Sequence, residues 1–338
     1  MNRFWVLFLI LTWTAEAHAV ERVRVQAGWL LNGEFAAFCS ALVNGIYADY
    51  GLDVTLLPGG PSGGGFIVAT NALVQDQTID IAIDGDLVPL MRGTGRPPER
   101  QINVKAFAAF WTDSPYGFLV REDSGIHSLR DLAGGSPDGK PYRVGVTADF
   151  VLQDALARHA GGSPDQINFV TVGFDALPLI TGSIDAQAGY WVTQAYELVQ
   201  ANISYRFLPI SELPGFHQPS LIALARKETI EQRPEMLARW LRASQDGARF
   251  VLSDPETAAK QILDSRCGGP SFDFQQESWL IRQSLSLYNP ADLGRLDPTL
   301  ISSFATVFKE IGQIQRVPII EDVYTDKIQA LAATVSPQ

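Results

Sequence analysis

Basic residues are scarce in this chain. Among 338 residues, 26 Lys and Arg stand against 37 Asp and Glu, which gives a formal net charge of −11 at pH 7. Nucleic acids and anionic membrane faces attract basic surfaces, so this balance argues against both as partners. Long apolar runs are also missing beyond the first residues, and no later stretch has the length of a membrane-spanning helix.

Cysteine and histidine are also rare, with 2 and 4 residues. The histidines are far apart and lack the paired spacing of zinc ligands, so we predict neither a metal nor a cofactor. An exported protein can oxidise Cys39 and Cys267 to a disulfide. Because Cys39 lies in an apolar helical pattern, a buried free thiol suits the sequence equally well. The chain has no H-E-x-x-H motif and no cysteine–histidine neighbourhood, which argues against an enzyme.

Residues 1–19 have the pattern of a signal peptide. Arg3 supplies a positive start, residues 4–13 form an apolar run, and Ala17-His18-Ala19 matches a small-x-small cleavage site. We expect cleavage before Val20 and export of the mature chain to the periplasm. A signal anchor that stays attached is the alternative.

Strand and helix patterns alternate along most of the chain. Apolar residues two apart predict strands, and apolar residues three to four apart predict helices. Predicted strands cover 23–27, 52–57, 79–83, 102–110, 142–146, 168–172, 185–188, 205–208 and 220–225. Predicted helices cover 35–50, 66–75, 149–160, 175–181 and 192–201, a short helix begins at Leu87, and the pattern after 226 is helical.

This order predicts an α/β protein with two lobes, each a mostly parallel sheet flanked by helices, followed by C-terminal helices. We predict that the chain crosses between lobes near 111–116 and 209–219. The first lobe then comprises 20–113 and 215–338, and the second comprises 114–214. Two short crossings form a hinge, and ligands of such folds lie in the cleft between the lobes.

Several short runs carry a family resemblance. Gly45 to Val54 reads G-x-Y-x-x-x-G-L-D-V, and Ser124 to Gly134 reads S-G-I-x-S-x-x-D-L-x-G. They are accompanied by Gly28-Trp29-Leu30-Leu31-Asn32, Asp80-Ile81-Ala82-Ile83, Asp185-Ala186 and Gly189-Tyr190-Trp191. Together these runs resemble the periplasmic solute-binding proteins of ABC importers, in the branch that binds the formylaminopyrimidine precursor of thiamine.

The resemblance implies a type II periplasmic binding protein fold, a small-molecule ligand, a permease partner in the inner membrane and no catalysis. We expect a monomer. Related branches bind alkanesulfonates, taurine, nitrate and riboflavin, so these ligands stay open. The same fold class contains the yeast-type enzyme that makes the thiamine pyrimidine, but that enzyme carries a Cys-Cys-Cys-Phe-Cys cluster that this sequence lacks. A periplasmic sensor with another membrane partner would have the same fold.

The residues that follow each strand form the predicted ligand site, because ligands of α/β sheets bind beyond the carboxyl ends of the strands. The predicted ligand-binding residues are Trp29, Asn32, Phe35, Gly64, Asp84, Asp86, Trp111, Ser114, Tyr116, Thr147, Tyr190, Trp191 and Gln194. We expect Trp29, Trp111 and Trp191 to wall a cleft that grips a planar ligand, since aromatic faces stack on flat rings. Packing in the core is the alternative for these side chains.

The same loops are acidic. They hold Glu34, Asp84, Asp86, Asp113 and Asp149 but no Lys or Arg. A sulfonate or nitrate would meet carboxylates without a cationic counterweight, so a neutral or cationic heterocycle with N–H donors fits better. Asp84 is the preferred polar contact, whereas Asp86 and Asp149 also suit helix N-caps.

Two predicted contacts have a second interpretation. The glycines at 63–65 precede a predicted helix, where backbone N–H groups can hold an anion, although a tight loop needs the same glycines. The pyrimidine-binding branch tends to have a glutamate at the place of Gln194. A glutamine can accept and donate hydrogen bonds there, but it supplies no charge.

Overall fold

A computed structural model of the chain describes residues 20–62, 65–147, 156, 159–162, 166–268 and 272–338. The predicted signal peptide, Gly64, Asp149 and most of the predicted helix at 149–160 lie outside the described residues. The strands are β1 (Glu21–Ala27), β2 (Leu52–Leu57), β3 (Gly60–Ser62), β4 (Gly65–Ile67), β5 (Ile81–Asp84), β6 (Val104–Trp111), β7 (Tyr116–Arg121), β8 (Tyr142–Val146), β9 (Ile167–Thr171), β10 (Ala186–Tyr190), β11 (Tyr205–Pro209) and β12 (Ser220–Arg226).

Helices flank these strands and fill the C-terminal third. In the described residues they are α1 (Ala36–Val43), α2 (Ile46–Asp49), α3 (Ala69–Gln75), α4 (Val88–Thr94), α5 (Leu129–Gly134), α6 (Leu177–Ile180), α7 (Trp191–Gln200), α8 (Lys227–Gln232), α9 (Pro234–Ser253), α10 (Pro255–Ile262), α11 (Phe274–Ser284), α12 (Pro298–Glu310), α13 (Ile320–Val323) and α14 (Lys327–Ala332). Of these described helices, none combines the length and apolarity that crossing a bilayer requires.

Two five-stranded sheets organise the two lobes. The first has the order β2-β1-β5-β12-β6, and the second has the order β11-β7-β10-β8-β9. In the first sheet β12 runs against both of its neighbours, and in the second sheet β7 does the same. The other strands of each sheet run in one direction. The predicted α/β lobes with mostly parallel sheets are thus confirmed.

The chain passes from the first sheet to the second between β6 and β7 and returns between β11 and β12. The strand predicted at 220–225 is β12, and it lies between β5 and β6. The lobe boundaries predicted at 113 and 214 fall in these two passages and stay a prediction.

Three local elements differ from the predicted ones. The helix predicted at 35–50 is divided into α1 and α2 at Gly45, whose φ of 76° is left-handed and ends a helix. The glycine-rich loop forms the β3–β4 hairpin. Because β4 extends to Ile67, α3 starts at Ala69 and not at the predicted residue 66. The strand β7 was not predicted, because its inner residues 117–120 are all buried and show no alternation.

The C-terminal helices pack on the first lobe. Trp240 of α9 stacks on Phe38 of α1, with 5.7 Å between ring centroids, and meets Phe107 of β6 edge-on. Gly247 allows α9 to approach α1 closely, because a Cβ at this position would lie 2.1 Å from the carbonyl oxygen of Ala37. The first lobe is therefore built from both ends of the described chain.

A disulfide joins α1 to the turn after α10. Cys39 and Cys267 are bonded, with their Cα atoms 5.5 Å apart, and both are buried. The sequence left a disulfide and a free thiol open, and the structure has the disulfide. Because 228 positions separate the two cysteines, the bond closes a long loop and restricts the unfolded chain strongly.

Candidate ligand-binding site

A cavity of about 250 Å³ lies between the two sheets. Residues at the carboxyl ends of β1, β5, β8 and β10 reach it, as expected for a ligand site of an α/β fold. The first lobe contributes Trp29, Glu34, Phe35, Phe66, Asp84 and Asp86, and the second contributes Tyr116, Thr147, Phe174, Tyr190, Thr193 and Gln194. Its volume lies close to the lower end of the range for small-molecule sites, so it suits a small ligand.

Three aromatic rings close the outer side of the cavity. Trp29 meets Phe174 across the cleft at 4.8 Å between ring centroids and Phe66 of its own lobe at 5.7 Å. Phe66 and Phe174 are 47% and 43% exposed, so they face solvent at the entrance. The indole of Trp29 rests on Gly60, where a Cβ would come within 2.8 Å of the ring. The missing side chain at Gly60 thus leaves room for the indole of Trp29 in this position.

Two tyrosines form part of the inner wall. The rings of Tyr116 and Tyr190 lie 5.6 Å apart and nearly perpendicular. Burial raises the pKa of both phenols, so both keep their protons at neutral pH and can donate hydrogen bonds. The Tyr190 ring also reaches across the cleft to Gly85, where a Cβ would lie 2.7 Å from the phenol oxygen.

Glu34 is a buried carboxyl on the first-lobe wall. It lies in a 3₁₀ turn, Gly33–Phe35, and is 4% exposed. Its Oε1 accepts a hydrogen bond of 2.9 Å from the hydroxyl of Thr193 in the second lobe. Burial raises the pKa of Glu34 to about 7, and the Thr193 hydrogen bond offsets only part of that effect.

Asp84 and Asp86 flank the turn after β5. Asp84 accepts a hydrogen bond from the Thr70 hydroxyl, and burial, together with the nearby charge of Asp86, raises the pKa of Asp84 to about 7. Asp86 Oδ1 accepts the backbone N–H of Val88, the first residue of α4, at 2.8 Å, although Leu87 and not Asp86 is the N-cap residue of that helix, and Asp86 also lines the cavity. Burial raises the pKa of Asp86 as well. The described lining contains no Lys or Arg, and these acids have no cation beside them in the cavity.

Gln194 adds a neutral acceptor. It is 8% exposed, and its Nε2 donates to the carbonyl oxygen of Phe174 at 3.2 Å. Its Oε1 is buried and has no hydrogen-bond partner among the described residues. Glu197, one turn further along α7, accepts the backbone N–H of Ala176 instead and does not line the cavity. The Gln194 amide thus leaves one buried acceptor unsatisfied among the described residues.

The sequence model of the family described as NMT1/THI5 like matches residues 32–258. The chain belongs to this family. One similar relative is the formylaminopyrimidine-binding protein of Halalkalibacterium halodurans, 25% identical over 273 residues, which cover 77% of this chain and 76% of the relative. Another is the 4-amino-5-hydroxymethyl-2-methylpyrimidine phosphate synthase of Legionella pneumophila, 26% identical over 252 residues, which cover 73% and 74%.

Solved structures share the fold. The periplasmic nitrate-binding protein NrtA from Synechocystis PCC 6803 superposes with a TM-score of 0.64 at 15% identity, over 93% of this chain and 88% of that one. At this level of identity the likeness shows the fold alone. It confirms the predicted periplasmic binding protein architecture for this member of the NMT1/THI5-like family.

Two of the three tryptophans predicted to wall the cleft of this family member lie elsewhere. Trp111 is 1% exposed and packs edge-on against Tyr288, because β6 is covered by β12 and the C-terminal segment. Trp191 packs beside Phe207 in the second lobe, since it opens α7 on the side away from the cavity. Neither lines the cavity, so the prediction of a three-tryptophan wall is wrong for both, and only Trp29 stays at the site.

Two further predicted contacts support the site instead of lining it. Asn32 is fully buried, and its Oδ1 accepts the backbone N–H of Glu34 at 3.0 Å. Ser114 is buried, and its Oγ accepts the backbone N–H of Tyr116 at 3.3 Å. Both side chains thus hold the backbone next to a residue that lines the cavity. Gly64 lies outside the described residues.

Sequence reasoning missed several lining residues. Phe66 was placed inside a helix, and Thr193 follows Tyr190 by less than one helical turn without any motif of its own. Leu221 lines the cavity with a left-handed φ of 50°, which is rare for a large side chain. No residue pattern marks such a backbone conformation in advance.

One sequence pattern near the cavity suggests a nucleophile. Gly60-Pro61-Ser62-Gly63-Gly64 fits G-x-S-x-G, in which hydrolases place the serine on a strand-to-helix turn. Ser62 instead ends β3 of a hairpin, is exposed, and donates its hydroxyl to the carbonyl oxygen of Gly65 at 3.1 Å. Among the described residues, no group of His, Cys, Asp or Glu is arranged to hold a metal ion.

Proposed function

We propose that this chain is the periplasmic substrate-binding component of an ABC importer and that its cleft binds a small, planar aminopyrimidine. Residues 1–19 would act as the export signal, and the permease would be the membrane partner. The observation that carries the proposal is a small cavity walled by aromatic rings and buried carboxyls from both lobes, with no basic side chain in the described lining.

The carboxyls favour an amino-heterocycle over an anion. A nitrate or sulfonate would add negative charge beside Glu34, Asp84 and Asp86 in a site of low dielectric constant. An aminopyrimidine presents a ring nitrogen that accepts next to an amino group that donates. A carboxyl that keeps its proton offers the complementary pair, and the pKa values of Glu34 and Asp84 near 7 support that state.

Thermal unfolding with candidate ligands tests the proposal. 4-Amino-5-hydroxymethyl-2-methylpyrimidine should raise the melting temperature, because a ligand at 100 times its Kd stabilises the folded state by about 2.7 kcal/mol. Nitrate, taurine and riboflavin should not. Trp29→Ala should reduce the shift, while Trp111→Phe, away from the cavity, should retain it. A shift with nitrate or taurine and none with the pyrimidine would refute the ligand class.

Several relatives are pyrimidine phosphate synthases, so catalysis is the second candidate. A receptor releases its ligand unchanged, whereas an enzyme converts it. Mass spectrometry of the pyrimidine after long incubation with the protein should return only the starting compound. A hydrolysed or rearranged product, which needs no co-reactant beyond water, would replace the transport proposal with the enzymatic one.

A further inference from the structure

One hydrogen bond crosses the cleft beside the cavity. The Thr193 hydroxyl, on α7 of the second lobe, donates to Oε1 of Glu34 in the first lobe at 2.9 Å. The two residues are 159 positions apart in the sequence, and both line the cavity. Because the two residues belong to different lobes, any opening of the cleft at this point would break the bond.

Side chains of the first lobe fix the backbone next to Glu34 by hydrogen bonds. Glu277 of α11 is fully buried, and its Oε2 accepts the backbone N–H of Gly33 at 2.6 Å. Asn32 Oδ1 accepts the backbone N–H of Glu34 itself. These two bonds fix the backbone of the 3₁₀ turn at Gly33 and at Glu34. The first lobe alone therefore sets the position of Glu34, and the second lobe brings Thr193 to it.

The helix behind Glu34 also contacts the second lobe. Trp279 of α11 lies beside Tyr196 of α7, with 6.1 Å between ring centroids. Tyr196 is about one turn beyond Thr193 on the same helix. α7 therefore meets first-lobe elements through apolar and ring contacts as well as through the hydrogen bond.

We propose that Glu34 and Thr193 form a latch that couples recognition of an amino group on the ligand to closure of the lobes. This inference rests on the proposed function, because the ligand must supply an N–H group to the carboxyl of Glu34. Gln194, next to Thr193, also lines the cavity, so a ligand that meets Glu34 lies close to the second lobe as well. A ligand that contacts both Glu34 and the second-lobe wall touches both lobes and shifts the balance toward the closed state.

Substitutions at position 193 test the latch without any ligand. Thr193→Val removes the hydroxyl at similar volume, and Thr193→Ser retains it. Small-angle X-ray scattering of the ligand-free chain should give a larger radius of gyration for Thr193→Val, and the serine variant should match the wild type. Thr55→Val, at an exposed position of β2, is the matched control and should leave the radius unchanged.

Substitution of Glu34 separates the latch from ligand recognition. Glu34→Gln keeps an oxygen that can accept from Thr193, so the ligand-free radius should stay at the wild-type value, while the affinity for 4-amino-5-hydroxymethyl-2-methylpyrimidine should change. In calorimetry, Thr193→Val should weaken this affinity by about tenfold. The oxo analogue of the pyrimidine, which lacks the amino group, should bind weakly to every variant.

The outcomes separate the two proposals. An unchanged radius of gyration in Thr193→Val overturns the latch, whatever the affinity. If the wild type binds no aminopyrimidine but Thr193→Val still opens, the hydrogen bond still holds the lobes together, and both the proposed ligand and its coupling to the latch fall.

Discussion

Replacing Asp84 with asparagine is expected to stabilise the ligand-free protein at pH 8 and to weaken its binding of the pyrimidine. The side chain is 3% exposed and accepts a hydrogen bond from the Thr70 hydroxyl, which an asparagine oxygen can also accept. What the substitution removes is the cost of holding a charge in a buried site that lacks a cation.

The size of the effect follows from the pKa. Asp84 ionises at its ordinary value of 3.8 in the unfolded chain and at about 7 in the folded protein. Between these values the folded state binds more protons than the unfolded state, so stability falls as the pH rises. About three pH units at about 1.4 kcal/mol each correspond to about 4 kcal/mol lost by pH 8. Asparagine does not titrate, so Asp84→Asn should recover most of this loss.

Urea unfolding at pH 5 and pH 8 measures the prediction. The free energy of unfolding of the variant should exceed that of the wild type by several kcal/mol at pH 8. At pH 5 the difference should be only about 1–2 kcal/mol, because Asp84 is still mostly protonated in the folded state. Asp53→Asn, at an exposed position of β2, should change the stability by less than about 0.5 kcal/mol at either pH. Equal stability of Asp84→Asn and the wild type at pH 8 would refute the reasoning, as would a gain that does not depend on pH.

Three other changes probe the rest of the structure. Replacing Cys39 and Cys267 by serine should lower the free energy of unfolding by about 2–5 kcal/mol in urea, and an unchanged midpoint would contradict the stabilising role of the disulfide. Gly85→Ala places a Cβ against the Tyr190 hydroxyl across the cleft. Calorimetry should show about tenfold weaker pyrimidine binding, whereas wild-type affinity would mean that closure tolerates the methyl group. Trp111→Phe should lower the free energy of unfolding by about 1–3 kcal/mol and leave the affinity for the pyrimidine unchanged. A loss of affinity would show that Trp111 belongs to the ligand site.

The sequence alone predicted the architecture because the fold depends on local patterns. Alternating strand and helix signals specify mostly parallel sheets, and the apolar run at 220–225 marks the strand that returns to the first sheet as β12. The acidic residues that follow the strands could also be found in this way. Asp84 and Asp86 line the cavity because they stand at the carboxyl end of β5, where ligand sites of α/β sheets lie.

The tertiary structure decided which of these side chains meet. Trp29 and Trp111 both stand at strand ends, yet Trp29 rests on a glycine at the cleft while Trp111 is covered by other elements. The bond between Thr193 and Glu34 joins residues of different lobes, and the disulfide joins residues 228 positions apart. Such contacts depend on how lobes and helices pack in three dimensions, and patterns between sequence neighbours carry no information on distances of that kind.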